Sequence, residues 1–282
     1  MQPYIDEVKM FDLEKKVEEP KDSESFLKDI LSKRIQSTDV ITSAEYLMKI
    51  DGVKKISKDN ISGFIGLAKS RKSFAVTMFV SALVGGLNLY NKFQALKKCK
   101  VLAADTEQSA DDVQLVTKRI KHLVGDEVNL FMYALKPFNP TERLNAIELL
   151  LIEHKPDVLV IDGIKDLIYN INDPVECTNV MSRLQKWNVE FDIHICCVLH
   201  QNKGDGNARG HIGTELNNKC QILIRVTQNE NDKTISHFEE VFGRGKGIDG
   251  FDFFVNNEYK DFGIPEVVTT GFTEGDLTAD PF

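Results

Sequence analysis

The sequence predicts an α/β fold: a mostly parallel sheet covered on both faces by helices and continued at its C-terminal side by antiparallel strands. Three observations point to it. From Asn60 onward, apolar runs of strand length alternate with segments of helical period. The runs are apolar throughout rather than at every second residue, and a basic, glycine-led stretch separates the first run from the helix after it. Such alternation implies parallel strands joined by crossover helices. A strand apolar on both sides belongs in a sheet buried on both faces, and such sheets bind ligands beyond the carboxyl ends of their strands.

The bulk properties agree. The 282 residues, 42% of them apolar, suffice for one substantial core with appendages. A formal charge of −8 argues against a protein that coats nucleic acid through its overall field, so any such contact has to come from a local basic patch. None of the five cysteines has C-x-x-C spacing, and Cys196 and Cys197 sit inside the apolar run IHICCVL, the pattern of small buried hydrophobes in a reducing compartment. The N-terminal residues have no apolar stretch of signal length and no run reaches 18 apolar residues, so a cytoplasmic location without membrane contact is expected.

Residues 1 to 40 read as an N-terminal extension. Its first 21 residues are charged and aperiodic, and SESFLKDILSKRIQ then places Phe26, Leu27, Ile30, Leu31 and Ile35 on one face of a helix capped by Ser23 or Ser25. That helix is expected to pack on the main domain or to link to a neighbouring subunit. The main domain is assigned to residues 41 to 257. In it ISGFIG is a strand, SFAVTMFVSALV a helix, KVLAADT a strand, SADDVQLVTKRIKHL a helix, VNLFMYA a strand and TERLNAIELLLIEHK a helix stopped before Pro156. DVLVID is an apolar strand, PVECTNVMSRLQKWNV a helix and IHICCVLH a strand. The stretch NKGDGNARGHIG reads as a glycine-rich loop, and QILIRVTQ, ISHFEEVFG and GFDFFVN as the antiparallel extension. Residues 258 to 282 read as an acidic tail.

Chemistry concentrates in five places. The first, GLAKSRKS (Gly66, Leu67, Ala68, Lys69, Ser70, Arg71, Lys72, Ser73, followed by Phe74), fits the phosphate-loop pattern G-x-x-x-x-G-K-[ST] except that Arg71 replaces the second glycine. Strand, loop and helix in succession are the context that pattern requires. Such a loop binds a nucleoside triphosphate, with Lys72 on the terminal phosphates and the Ser73 hydroxyl on Mg²⁺. The second is Asp162, which ends DVLVID where a carboxylate can hold a Mg²⁺-bound water. The third, Glu107 just past KVLAAD, can polarise a water for attack on the γ-phosphate, or belong with Asp105 and Thr106 to a loop capping the next helix.

The fourth follows IHICCVLH: His200, Gln201 and Asn202 stand where a polar side chain can sense the γ-phosphate, and the glycine-rich loop beyond, with Lys203 and Arg209, suits a phosphate backbone or is an ordinary solvated loop. The fifth is VFGRGKG, whose Arg244 and Lys246 can complete a neighbour's site or form a plain hairpin turn.

These five elements in this order resemble the RecA-like hexameric helicase and ATPase group, the DnaB-like and RepA-like proteins, over residues 40 to 257. GLAKSRKS, AADTEQS, VLVIDGIKDL, VLHQNKGDGNARGHIGTELNNKC and FGRGKG together look more closely like the AAA-family ATPases of Bacteroides-type mobilisable elements and phages. The resemblance implies a RecA-like P-loop NTPase core, ATP and Mg²⁺ as cofactors, and a homo-oligomer assembled as a hexameric ring. It further implies Glu107 as activating base, Lys72 on phosphate, Ser73 and Asp162 at the metal, Gln201 as γ-phosphate sensor, and the 203 to 210 loop facing a central channel. Arg244 and Lys246 become cations acting on the next subunit, single-stranded DNA the substrate, and replication or mobilisation proteins the partners. Two departures stand out: Arg71 at the glycine position, with which nucleotide binding is expected to survive, and the brevity of the segment before the core. A motor on single-stranded DNA is the expected function, a nucleotide-gated scaffold the alternative. A small-molecule kinase is disfavoured because no arginine-rich lid is evident.

Overall fold

A computed structural model describes residues 22–41, 44–201, 208–259 and 262–268. It divides at Ser43/Ala44 into an N-terminal unit and a main body. In the N-terminal unit, α1 (Ser23–Ser32) begins after Asp22, which makes no side-chain cap bond, and Phe26, Leu27, Ile30 and Leu31 are all exposed.

In the main body a nine-stranded sheet has the order β13-β12-β11-β10-β3-β9-β8-β6-β7. Six of these strands run parallel: β3 (Asn60–Gly66), β6 (Val101–Asp105), β7 (Leu130–Ala134), β8 (Val158–Asp162), β9 (His194–His200) and β10 (Ile222–Gln228). The antiparallel part is β11 (Ile235–Gly243), β12 (Phe251–Asn256) and β13 (Ile264–Val267). The sequence expectation is corrected at one strand. QILIRVTQ pairs parallel with β3 along Ile222–Arg225, so the antiparallel extension begins only at β11.

Successive residues of the central strands enter opposite layers, as the two-residue period of a strand requires. Phe64, Val101, Ala103, Val158, Val160, Cys196 and Val198 pack beneath α2 (Lys72–Gly85) and α3 (Ala110–Val124). Ile65, Leu102, Leu159, Ile161, Ile195, Cys197 and Leu199 pack beneath α4 (Pro140–His154), α5 (Pro174–Phe191) and α6 (Gly210–Lys219). Each fully buried Val, Ile or Leu contributes about 1.5–3 kcal/mol of apolar transfer energy, so continuously apolar strands are stable only between two helical layers. Apolar all round, α2 buries eleven of its fourteen residues.

Three features lie outside the sequence expectation. A second sheet, of order β2-β1-β5-β4, is built from β1 (Tyr46–Ile50), β2 (Val53–Ser57), β4 (Asn88–Leu89) and β5 (Phe93–Ala95). Part of the glycine-rich stretch is helix: α6 starts at Gly210 and buries Ile212, Gly213 and Leu216. A Cβ on Gly213 would collide with the Ala208 backbone, so glycine there allows the close approach. Finally, β13 lies within the stretch assigned to the acidic tail, and its pairing with β12 adds it to the sheet. Among the described residues no helix is long and apolar enough to cross a membrane.

Candidate nucleotide site

Strand register sets the site. Asp105 pairs with Asp162, Asp162 with Val198, and Gly66 with His200, so the carboxyl ends of β6, β8, β9 and β3 finish side by side. They border a cavity of about 400 Å³ whose walls include the loop residues Lys69–Phe74 together with Glu107, Asp162, Lys165 and His200. That is the position where a parallel sheet offers a crevice.

The loop between β3 and α2 returns on itself at Gly66, where a Cβ would collide with the Val226 carbonyl oxygen and lie 2.6 Å from Ser70 Oγ. Arg71 adopts φ 67° and ψ 30°, the left-handed conformation that the usual glycine takes freely. Its guanidinium turns to the hairpin between β10 and β11, donating to Ser236 Oγ at 3.1 Å and to the Lys233 carbonyl at 2.7 Å. Beyond Arg71, α2 opens with the amides of Lys72 and Ser73 at its N-terminus, where helix geometry leaves N–H groups for an anion.

Lys72 Nζ donates to the carbonyls of Gly66 at 3.0 Å and Leu67 at 2.9 Å and to His200 Nδ1 at 3.1 Å. Burial lowers its pKa to about 8, against the pull of Asp162 and Glu107. Asp162 is pushed up to about 7, by burial first and then by Asp105 and Glu107. Glu107 is held down to about 2 by the His200 hydrogen bond, with Lys165 adding to it. His200 Nε2–H donates to Glu107 Oε2 at 3.3 Å, and Lys165 Nζ lies 3.3 Å from Glu107 Oε1. An imidazole carrying its proton on Nε2 satisfies Lys72 and Glu107 together.

The Asp105–Glu107 segment does not itself cap the next helix. Asp105 accepts from the backbone N–H groups of Glu107 and Gln108 and from Gln108 Nε2, while Ser109 caps α3. Thr106 clasps β8: its N–H donates to Asp162 O, its hydroxyl to Gly163 O, and Gly163 N–H donates back to that hydroxyl. With its neighbours so employed, Glu107 projects into the cavity.

Lys72, Ser73, Glu107 and Asp162 are therefore brought together. Gln201, expected as sensor, is buried and forms a bridge with Ala208, whereas His200 lines the cavity. Arg209 is exposed at the start of α6, its N–H bonded to His200 O; Lys203 lies outside the described residues. Arg244 and Lys246 are exposed after β11, whose last residue pairs with Ile222 at the start of β10, so they stand at the opposite end of the sheet from this chain's cavity. Sequence reasoning did not single out Lys165 or the pairing of His200 with both Lys72 and Glu107. Their position just past β8 and at the end of β9 was the available signal.

The residues present fit a Mg²⁺-nucleotide. Ser70 Oγ is buried without a hydrogen-bond partner inside the loop, and the Ser73 hydroxyl and Asp162 carboxylate face the same space. Among the described residues no three His, Cys, Asp or Glu side chains cluster as a metal group. A Mg²⁺ here would rely on Ser73, water and phosphate, with Asp162 holding a water. Compared with known proteins, the chain matches no family model and no curated protein.

Proposed function

We propose that the chain binds and hydrolyses ATP as a RecA-like motor or remodeller of single-stranded DNA, working as a ring in replication or mobilisation of a mobile element. One observation carries the ATPase part: a lysine, a hydroxyl and two carboxylates converge on one cavity at the ends of parallel strands. The DNA and ring parts rest on the motif resemblance and on Arg209 at the same end of the sheet.

Bound Mg²⁺-ATP supplies the phosphoanhydride to be cleaved. Lys72 exchanges the Gly66 and Leu67 carbonyls for phosphate oxygens, an ammonium already positioned and partly stripped of water. Held ionised, Glu107 accepts a hydrogen bond from a water and orients it, while Thr106 and Asp105 fix the backbone beneath it. His200 joins Lys72 to Glu107, so a shift of the ammonium toward phosphate also changes the carboxylate's partners. Arg244 or Lys246 of a neighbouring copy supplies the remaining positive charge. Titration calorimetry with Mg²⁺-ATP tests the site. Saturable binding that Lys72→Ala abolishes is expected; no binding by the wild-type chain overturns the proposal.

A further inference from the structure

We infer that the nucleoside half of the nucleotide occupies a second cleft, between the outer side of the phosphate loop and the tip of the β10–β11 hairpin. This rests on the nucleotide site proposed above and extends it to the part of the ligand that those residues do not touch. The cleft measures about 360 Å³ and is lined by Leu67, Ala68 and Ser70 on one side and by Thr227, Gln228 and Asn229 on the other, with Lys233 at its rim.

Four observations converge. The first cavity lies at the strand termini, and Lys72, Lys165, Ser73, Glu107 and Asp162 in its lining serve phosphate, metal and water. Ser70 lines both spaces, so a ligand leaving the loop on this side passes from one to the other. Its hydroxyl is buried and lacks a hydrogen-bond partner, which marks a polar group awaiting a ligand. The lining pairs an apolar wall, Leu67 and Ala68, with Gln228 Oε1 and Asn229 Nδ2, the halves of those amides that the hairpin's own bonds do not use, a combination that holds a planar heterocycle by its face and edge.

The hairpin tip is also fixed rather than loose. Arg71 and Gln228 Nε2 both donate to the Lys233 carbonyl, each at 2.7 Å, and Asn229 Oδ1 accepts from the N–H groups of Asn231 and Asp232. Arg71 thus takes a part that glycine cannot: from within the phosphate loop it sets the width of the adjoining cleft. The ligand class is a nucleoside 5′-triphosphate whose base contacts come from the hairpin.

The test compares Mg²⁺-ATP with inorganic tripolyphosphate, titrated calorimetrically into the full chain. Wild type should bind ATP more tightly than tripolyphosphate. Gln228→Trp, at an exposed position, fills the cleft; it should cost ATP about tenfold in Kd or more and leave tripolyphosphate within about twofold. If thermal unfolding shows that this variant does not fold, Gln228→Ala removes the amide at the base edge instead, with the same selective loss expected. Equal losses for both ligands, an unchanged ATP affinity, or a wild-type chain that binds the two alike would overturn the inference while leaving the phosphate site standing. Binding of neither ligand by wild type would overturn both.

Discussion

Replacing Arg71 by glycine, the usual residue at this loop position, is expected to lower the stability of the protein by about 1 kcal/mol. The left-handed backbone at φ 67° costs a non-glycine residue about 1 kcal/mol, which glycine recovers. Against that, glycine adds about 0.4–1 kcal/mol of unfolded-chain entropy, so the backbone effects nearly cancel. What remains is the loss of two guanidinium bonds. The one to Ser236 Oγ, whose residue is fully buried, is worth about 1 kcal/mol; the one to the Lys233 carbonyl is exposed and worth less. Urea unfolding of Arg71→Gly, Ser236→Ala and the double variant should give a coupling of about 1 kcal/mol between the two positions. An Arg71→Gly protein more stable than wild type, with no coupling to Ser236, would refute the reasoning: backbone strain would then outweigh the contacts.

Three further outcomes are expected. Glu107→Gln should bind Mg²⁺-ATP and lose at least about a hundredfold in turnover; unchanged turnover in a steady-state phosphate assay would remove Glu107 from the water-orienting role. His194 is wholly buried between Ser62 Oγ and the Ser57 carbonyl, and burial lowers its pKa to about 4 from an ordinary value near 6.5. Its contribution is complete above pH 6.5 and is lost as pH falls from there to 4, where the unfolded chain takes a proton that the folded one refuses. The loss approaches about 3 kcal/mol, and urea midpoints across that window should fall less in His194→Gln than in wild type. Lys55 and Glu240 form a buried ion pair at 2.9 Å, and the same carboxylate accepts from Ile248 N–H. Lys55→Met strands that carboxylate and should cost about 3–5 kcal/mol by urea denaturation, much of it restored by Glu240→Gln in the same chain.

Where a residue's role depends on its neighbours in sequence, the sequence displayed it. The strand–loop–helix around Lys72 and the carboxylate ending DVLVID were legible because apolar runs and a short motif are local. Arg71 was legible as a residue in a glycine's conformation, and the structure adds where its guanidinium goes. The second sheet escaped because β4 and β5 have two and three residues, too few for a period to show. The Asp51-Gly52 turn between β1 and β2, with φ 49° and 78°, is nevertheless a local hairpin signal. For α6 the composition misleads: GHIGTELNNK is rich in glycine and asparagine, and its helix is sustained by burying Ile212 and Leu216 rather than by propensity. Strand QILIRVTQ carries no mark of direction, since parallel pairing with β3 depends on a partner far away in sequence. The same limit applies to His200 and Lys165, whose partners Lys72 and Glu107 are assembled only by strand order.

The central claim, that this cavity hydrolyses ATP in an assembly driven by DNA, is tested most directly by phosphate release from Mg²⁺-ATP with and without single-stranded DNA. The assay spans a range of protein concentrations, with Lys72→Ala as blank. The account predicts turnover well above the blank that DNA stimulates and that rises more steeply than in proportion to protein, because Arg244 and Lys246 stand away from their own chain's site and, in the proposed ring, act on a neighbour's. ATP binding with turnover no higher than Lys72→Ala, with or without DNA, would contradict it and make the site a nucleotide-gated scaffold instead.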